Sequence, residues 1–404
     1  MNQSFFQKLQ RVRLSDALSV VQFLLAAPIA LVVRLFLKDL WVVCDDREQA
    51  CDNGYFFFRY VRQQQPQQRI LFAVRKSSPD YDRVRRLGAV VPYGSLRHWI
   101  AYLAASVNIS SQKDGKPNAV LCYVLEVSGL LRNRRAFLQH GIINNNLPYL
   151  YYKKTKMAFF TVSVKREYEY VKQVFGYPEG AVCQVGLCRY DTLVNEADGE
   201  TILLMPTWRQ WIAHETSGSK RAERVNSFTE TDYCKNWLSL LQSEELEEIC
   251  KRYGKRVIFY PHRNMQKFLP YFLDAVREHI VIAAWPECDV QTLLKQCGML
   301  VTDYSSVAMD VAYLGKPVVY YQFDYERFRT WHLEEGYFHY DEDAFGPIAA
   351  EEAQVLAAIR SYVLRDFVPE ERYKKRSDVF FDLRDKKNCE RTYIKMKELS
   401  NGNH

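Results

Sequence analysis

At 404 residues the chain is long for one hydrophobic core, so two domains of ordinary size are expected. Hydrophobic residues at 48% and charged residues at 25% describe a soluble globular protein and exclude a disordered one. The net charge of +7 is concentrated at the ends: residues 1–38 carry +4 and residues 372–397 carry +6, which leaves the body at −3. Basic termini around a near-neutral body suit an anionic membrane surface or an anionic polymer better than a nucleic-acid groove. Two solvated helix faces are the plain alternative.

The first element is an apolar run over 17–33 (ALSVVQFLLAAPIALVV), interrupted only by Gln22 and Pro28. It falls just short of the ~20 residues that span a bilayer. With basic residues on both sides it reads best as an interfacial anchor. A span, a secretory signal and a buried helix are the competing readings. From residue 40 short apolar runs alternate with amphipathic segments. LWVVC (40–44), ILFAV (70–74) and AVV (89–91) are strand-like, and AVLCYVL (119–125) is expected to end in a strand or buried turn. Helical patterns lie around 54–64, 81–87 and 96–105, which argues for a parallel sheet flanked by helices.

The polar stretch 192–200 (TLVNEADGE) marks a boundary. A second series follows it: TILLMP from 201, a helix around 232–253, RVIFYP at 256–261, HIVIAA at 279–284, GMLVTD at 298–303 and PVVYY at 317–321. Two open α/β sheets in tandem are expected to hold ligand outside the carboxyl ends of their strands, in a crevice between domains.

The ten cysteines include no CxxC pair, and Cys183 with Cys188 matches no familiar zinc spacing. That usage fits reduced, buried thiols in a cytosolic compartment. Asp45-Asp46 and Asp341-x-Asp343 mimic a metal-binding pair but read better as solvated loop carboxylates, so no metal is expected.

Four loops carry the chemistry: FLQHG (137–141), LLMPTWR (203–209), FYPHRN (259–264) and LVTDYSSVAMDVAYLGKPVVYY (300–321). In the last, an apolar strand runs into Thr302-Asp303-Tyr304-Ser305-Ser306 and a helix begins at about Val307. Hydroxyls and free amides at a helix start make an anion site, although an ordinary N-cap uses the same residues. His140 and His262 are each either packed residues or groups able to move a proton or hold a phosphate. Arg209, and Arg263 beside it in type, could supply charge to a diphosphate.

In this order, the segments resemble the CDP-glycerol glycerophosphotransferase family of teichoic acid and capsule synthesis. The matching stretches are His140-Gly141, Pro206 to Arg209, Pro261-His262 and Thr302 to Ser306, with GLCRYD (186–191) as a linker and YKKRSDVFFDLRDKKNCER (373–391) as a closing helix. The likeness runs from about 40 to 395. It implies a GT-B-like pair of Rossmann-like domains. The organisation is then a membrane-associating segment at 1–39, an acceptor domain at 40–195, a CDP-donor domain at 196–368 and a basic C-terminal helix at 369–404 packing back toward the first domain.

The resemblance further implies a transferase that moves glycerol phosphate, or a related polyol phosphate, from a CDP-polyol to a hydroxyl of a lipid-linked glycan or polyol-phosphate polymer, releasing CMP. His140 is the implied base. His262, named with His140 as catalytic, is implied to cradle the diphosphate with Arg209, Ser305 and Ser306. Thr207 belongs to the donor side, Thr302 supports its loop, and Asp303 and Asp310 orient partners, contact the ribose or are structural. Gly141 and Arg189 belong to the acceptor loop. No cofactor beyond the CDP donor is expected, and the expected location is the cytoplasmic face of the cell membrane. A nucleotide-sugar glycosyltransferase or a CDP-ribitol-type enzyme are the alternatives. A nucleic-acid partner is not expected, because no basic stripe with interleaved aromatics is read inside the folded body. Two departures stand out. Many members have Thr-Pro after the His-Gly, where this chain has Ile142-Ile143 and Asn144-Asn145-Asn146. Many carry Arg-Gly-x-Tyr where it has Glu335-Gly336-Tyr337, which removes a cation near the expected donor.

Overall fold

Short apolar strands joined by helical crossovers must pair in parallel, and such sheets bury both faces. The computed structural model describes residues 14–113, 115–131, 133–213 and 228–402. It forms two compact units, one of Met1–His140, Pro148–Thr192 and Leu383–His404, the other of Gly141–Leu147 and Leu193–Asp382.

The first unit holds β1 (Trp41–Val43), β2 (Ile70–Val74), β3 (Val90–Pro92), β4 (Val107–Ser110), β5 (Arg134–Phe137), β6 (Phe159–Val162) and β7 (Val182–Gln184). Their order is β3-β2-β1-β4-β5-β6-β7. Every pairing is parallel, with Trp41 opposite both Ile70 and Val107. Trp41, Phe57, Phe58 and Phe72 are buried at the centre of its core. The order reverses at β1/β4, the switch point at which doubly wound sheets bind ligands.

Here that point is filled from within. The Asn53–Gln64 helix begins after β1, and Asp45 accepts hydrogen bonds from the Gly54 N–H (2.9 Å), the Tyr55 N–H (2.9 Å) and the Ser111 hydroxyl (2.6 Å). Asp45 is therefore a buried capping carboxylate and not the solvated loop residue expected. Burial and then the neighbouring Asp52 push its pKa up to about 7.

The apolar N-terminal run forms one 23-residue helix, Leu14–Phe36, with Pro28 inside it. It is longer than the expected 17–33, and Ala17–Phe36 is long and apolar enough to cross a membrane. One stripe packs into the unit: Ala26 and Ala30 are buried, and Phe23 meets Trp99 edge-on at 5.7 Å. The remainder exposes Leu24, Leu25, Leu31 and Leu35. The strand or turn expected from 119–125 is instead a helix, Ala119–Val127, started by the Asn118 side chain on the Leu121 N–H. An unbroken apolar run has no periodicity to tell the two apart.

The second unit holds β8 (Thr201–Leu204), β9 (Arg256–Phe259), β10 (Ile280–Ile282), β11 (Met299–Thr302), β12 (Val318–Tyr321) and β13 (Ile348–Ala349), again all parallel, in the order β10-β9-β8-β11-β12-β13. The helix expected over 232–253 is two, Asp232–Gln242 and Glu244–Tyr253. Ser243 ends one and caps the next through the Leu246 N–H.

The closing helix expected at 369–404 is also two. Glu371–Phe380 belongs to the second unit and Asn388–Ser400 to the first. The linker motif explains the second of these: both Asp191 carboxylate oxygens accept from the Asn388 and Cys389 N–H groups at 2.8 Å.

A β-carbon added at Gly54 would lie 2.2 Å from the Asp45 Oδ1. Gly54→Ala should therefore destabilise the first unit by about 1–3 kcal/mol, the usual cost of overpacking. Tryptophan fluorescence during denaturant unfolding checks this, and an unchanged midpoint would mean that Asp45 does not fasten the helix.

Candidate active site

In the second sheet the strand order reverses between β8 and β11, and two of the motifs leave the sheet there. The Thr302 hydroxyl donates to the Met205 carbonyl at 2.6 Å, and the Thr207 N–H donates to Asp303 Oδ1 at 2.8 Å. Asp303 Oδ1 also accepts from the Tyr304 N–H. Pro206-Thr207-Trp208-Arg209 and Thr302 to Ser306, about 100 residues apart in the chain, are thus one structure.

Arg209 lies beneath them, fully buried. Its Nη1 is 2.8 Å from Asp303 Oδ2 and donates to the Thr207 carbonyl, while its Nε and Nη2 donate to Asp324 at 2.7 and 3.0 Å. Burial alone would lower its pKa, but the carboxylates of Asp303 and Asp324 more than offset this and keep the guanidinium protonated. The expected role of Arg209 as a diphosphate contact is therefore corrected. Its polar groups are spent on the frame, and it is a positioning residue. Thr302 and Asp303, both fully buried, belong with it, and Asp310 is buried in the following helix. Burial, then Asp324, raises the Tyr304 pKa, so its hydroxyl stays protonated and donates to Asp324 at 3.0 Å.

Ser305 and Ser306 are the half-exposed members. The helix they precede, Val307–Tyr313, has seven residues, and Ser306 makes no side-chain cap. The helix start expected as an anion site is therefore short, and the Ser305 Oγ accepts from the Val307 N–H at 3.4 Å. Gly141 packs against Ser306: a β-carbon there would meet the Ser306 Oγ at 2.9 Å.

His262 is exposed after β9, and its Nδ1 accepts from the Asn264 N–H at 3.2 Å, which leaves Nε2 as the donor of the neutral ring. Trp208 stacks near it, with ring centroids 6.2 Å apart and 29° between planes, and meets His332 edge-on at 4.5 Å. Arg263 lies 4.0 Å over the Trp285 ring.

The segment Gly141–Leu147 belongs to the second unit, and there the two family departures meet. Asn145 and Glu335 form an antiparallel bridge, and the Asn146 N–H donates to the Glu334 carbonyl at 3.0 Å. Arg329 donates to Asn145 Oδ1 at 2.6 Å and lies 3.9 Å from Glu335. A cation therefore does stand at the segment whose motif has none.

In the first unit His140 is exposed just after β5, on a turn that side chains fix. Gln139 has φ +60°, a conformation that costs a non-glycine residue about 1 kcal/mol or more. Its carbonyl accepts from Asn53 Nδ2 at 2.7 Å, and its own amide donates to the Thr161 carbonyl and to Glu167 Oε1. Buried Glu167 also accepts from the Ser163 N–H at 2.6 Å. Arg189, buried, donates to the His140 carbonyl at 3.2 Å, while its N–H donates to Asn53 Oδ1 at 2.9 Å. It holds the His140 turn from below.

Sequence reasoning missed Asp324, Tyr304, Trp208, Asn53, Gln139 and Glu167 as working parts. Gln139, Trp208 and Tyr304 lay inside a motif, while Asp324, Asn53 and Glu167 did not. A buried carboxylate such as Glu167 looks like any helix-surface glutamate until the chain is folded.

The family described as CDP-glycerol:poly(glycerophosphate) glycerophosphotransferase has a sequence model that matches residues 26–396. The minor teichoic acid biosynthesis protein GgaB of Bacillus subtilis (strain 168) is 30% identical over 368 residues, which cover 90% of this chain and 40% of GgaB. The teichoic acid poly(glycerol phosphate) polymerase of Staphylococcus epidermidis is 21% identical over 359 residues, covering 82% of this chain and 46% of that protein. The chain therefore spans less than half the length of either. Among solved structures, the wall teichoic acid polymerase TagF matches over 90% of both chains at a TM-score of 0.61 and 16% identity. A Staphylococcus aureus MnaA structure with UDP matches over 90% of this chain and 97% of that one, at 0.54 and 11%. These structures share the two-sheet fold.

Arg209→Ala would strand two buried carboxylates, and breaking such a set typically costs about 3–5 kcal/mol. The expected outcome is a large drop in thermal midpoint. A variant that keeps its midpoint and loses only donor affinity would return Arg209 to direct contact.

Proposed function

The chain belongs to the CDP-glycerol:poly(glycerophosphate) glycerophosphotransferase family, and on that premise we propose that it transfers a polyol phosphate, glycerol phosphate first, from a CDP-polyol to an acceptor hydroxyl. The observation that carries the reading is the joining of Thr207 to Asp303 at the second sheet's switch point, with Ser305, Ser306 and His262 on exposed or half-exposed positions around that sheet's strand ends.

In the proposed reaction the acceptor oxygen bonds to the β-phosphorus, the bond from that phosphorus to the bridging oxygen breaks, and CMP leaves. His140 takes the acceptor proton. Nε2 of His262 and the two serine hydroxyls bind the diphosphate oxygens. There is little covalent chemistry for the protein to perform, so orientation and charge stabilisation dominate. The pinned Gln139 turn fits that need, because it fixes the backbone that carries His140 before any substrate arrives.

The acceptor is proposed to be a lipid-linked glycan or a polyol-phosphate polymer, and the exposed stripe of the Leu14–Phe36 helix to hold the protein on an anionic membrane at its cytoplasmic face. The same helix buries Ala26 and Ala30, so removing it would strip cover from the first unit as well as any anchor. Substitution is the cleaner test. Changing Leu24, Leu25, Leu31 and Leu35 together to Ser should abolish sedimentation with phosphatidylglycerol vesicles at an unchanged thermal midpoint. Full retention on vesicles would end the anchor reading.

The two histidines separate by role. His140→Ala should lower single-turnover CMP release by about 100- to 10,000-fold, the range for a lost general base, and leave CDP-glycerol affinity near wild type. His262→Ala should lose affinity and rate together. Calorimetry beside rapid-quench measurement, with CDP-glycerol and CDP-ribitol in parallel, checks both. If His140→Ala weakens donor binding as much as His262→Ala does, the base is another residue.

A further inference from the structure

Two basic, tyrosine-rich runs, YLYYKKTK (149–156) and KREYEYVK (165–172), are separated in sequence by the apolar strand β6, so no single stripe is visible along the chain. The fold makes them one surface of the first unit. Phe175, at the end of the Lys165–Val174 helix, packs against Tyr151 at 5.1 Å and Tyr170 at 5.8 Å, and its carbonyl accepts from the Tyr152 N–H at 2.9 Å.

Lys153, Lys154, Lys156, Lys165, Arg166 and Lys172 are all exposed. Glu167 is buried in the Gln139 turn, which leaves Glu169 as the exposed carboxylate within these two runs. Lys156 lies 4.6 Å over the Tyr152 ring, Lys153 5.9 Å over Tyr151 and Lys172 5.8 Å over Tyr168. Lys172, at the far end, also pairs with Glu179 at 3.1 Å. Lys153 and Lys156 differ: among the described residues they face tyrosine rings and no carboxylate. An ordinary solvated helix face pairs its lysines with glutamates three or four residues away. Lys153 and Lys156 stand instead beside flat amphipathic rings, and no ion pair is seen for them among the described residues.

The surface also has a direction. The Lys165–Val174 helix is about 15 Å long at 1.5 Å per residue. Its first turn, with Lys165 and Arg166, is tied through Glu167 to Gln139 beside His140, and its far end abuts the 149–156 run.

We propose that this Lys/Tyr face is the track along which a linear poly(polyol phosphate) chain lies, its end directed toward the His140 turn. Regularly spaced phosphodiesters meet the lysines, and the hydroxyl-bearing carbon units lie on the tyrosine rings. The proposal takes from the transferase reading only that the acceptor is a phosphodiester polymer. It goes beyond that reading by naming where the polymer runs.

The test uses the full chain and a fluorescently end-labelled poly(glycerol phosphate) oligomer, with binding followed by anisotropy across a salt series. The variant is K153A/K154A/K156A, all at exposed positions and none of them among the proposed donor groups. Polymer affinity should fall at least tenfold at an unchanged thermal midpoint, and the slope of log affinity against log salt should shrink by about 0.7 for each phosphate that a lysine no longer neutralises. In turnover, KM for the polymer should rise while the rate at saturating polymer holds.

Unchanged oligomer affinity overturns the proposal. An equal loss of binding to polyglutamate or single-stranded RNA would reduce the face to general anion attraction, and a loss confined to phosphatidylglycerol vesicles would make it a membrane contact. Either result also overturns it. Because binding is read without catalysis, a failed transfer assay leaves this result standing, and a failed binding assay leaves the transfer reading intact.

Discussion

The second unit depends on one guanidinium placed between two carboxylates. Three loops leave the ends of β8, β11 and β12, and Arg209, Asp303 and Asp324 join them in a space closed to water. Ions taken out of water are costly unless each is paired and its remaining polar atoms are satisfied. Here the Thr207 and Tyr304 N–H groups and the Tyr304 hydroxyl supply the rest. With one cation against two anions, this frame is itself negative and would repel a diphosphate. Its contribution is to hold the bases of these loops rigid, next to the half-exposed Ser305 and Ser306. Buried and exposed side chains therefore alternate within the same short motifs, and the rigidity comes from the buried ones.

The first unit has the same strand order up to its extra strand but treats its switch point differently. Asp45 occupies the N–H groups at the start of the Asn53–Gln64 helix, where nucleotide-binding sheets of this order place a phosphate. A bound phosphate there would have to displace a hydrogen-bonded carboxylate that already has three short partners. The exposed imidazole sits instead at the end of β5, on a turn whose backbone strain is held by Asn53, Thr161 and Glu167. One unit thus exposes or half-exposes two hydroxyls and an imidazole on its loops, and the other exposes an imidazole on a turn that buried side chains fix.

Much of this was legible in the chain. Alternating apolar runs and helical patterns marked both parallel sheets, and the four loop motifs fell at strand ends as expected. What could not be read was how each motif residue is used. Arg209 has the side chain of a phosphate ligand and became a structural ion because Asp324, with no motif around it, comes in from β12. The Ser305-Ser306 helix start looked like a dipole site, yet the helix is only two turns long. Glu167 and Asp45 resembled surface acids, and only tertiary neighbours reveal that they cap and pin. Burial of a polar group is a property of the assembled fold, so local pattern carries little of it.

The two departures from the family pattern also change meaning once folded. Asn144 to Asn146 and Glu334 to Gly336 lie nearly 190 residues apart, yet they form one bridge. Gly336 has no room for a β-carbon, which would meet the Asn144 carbonyl at 2.6 Å, so the two segments pass close at that point. Glu335 carries a negative charge into this bridge, and Arg329 answers it from the neighbouring helix while also holding the Asn145 amide. An arginine at 335 would place a second cation beside Arg329 and remove that pairing. The asparagines, the glutamate and Arg329 are therefore one connected set, in which a backbone bridge joins the two segments and Arg329 holds both the Asn145 amide oxygen and Glu335.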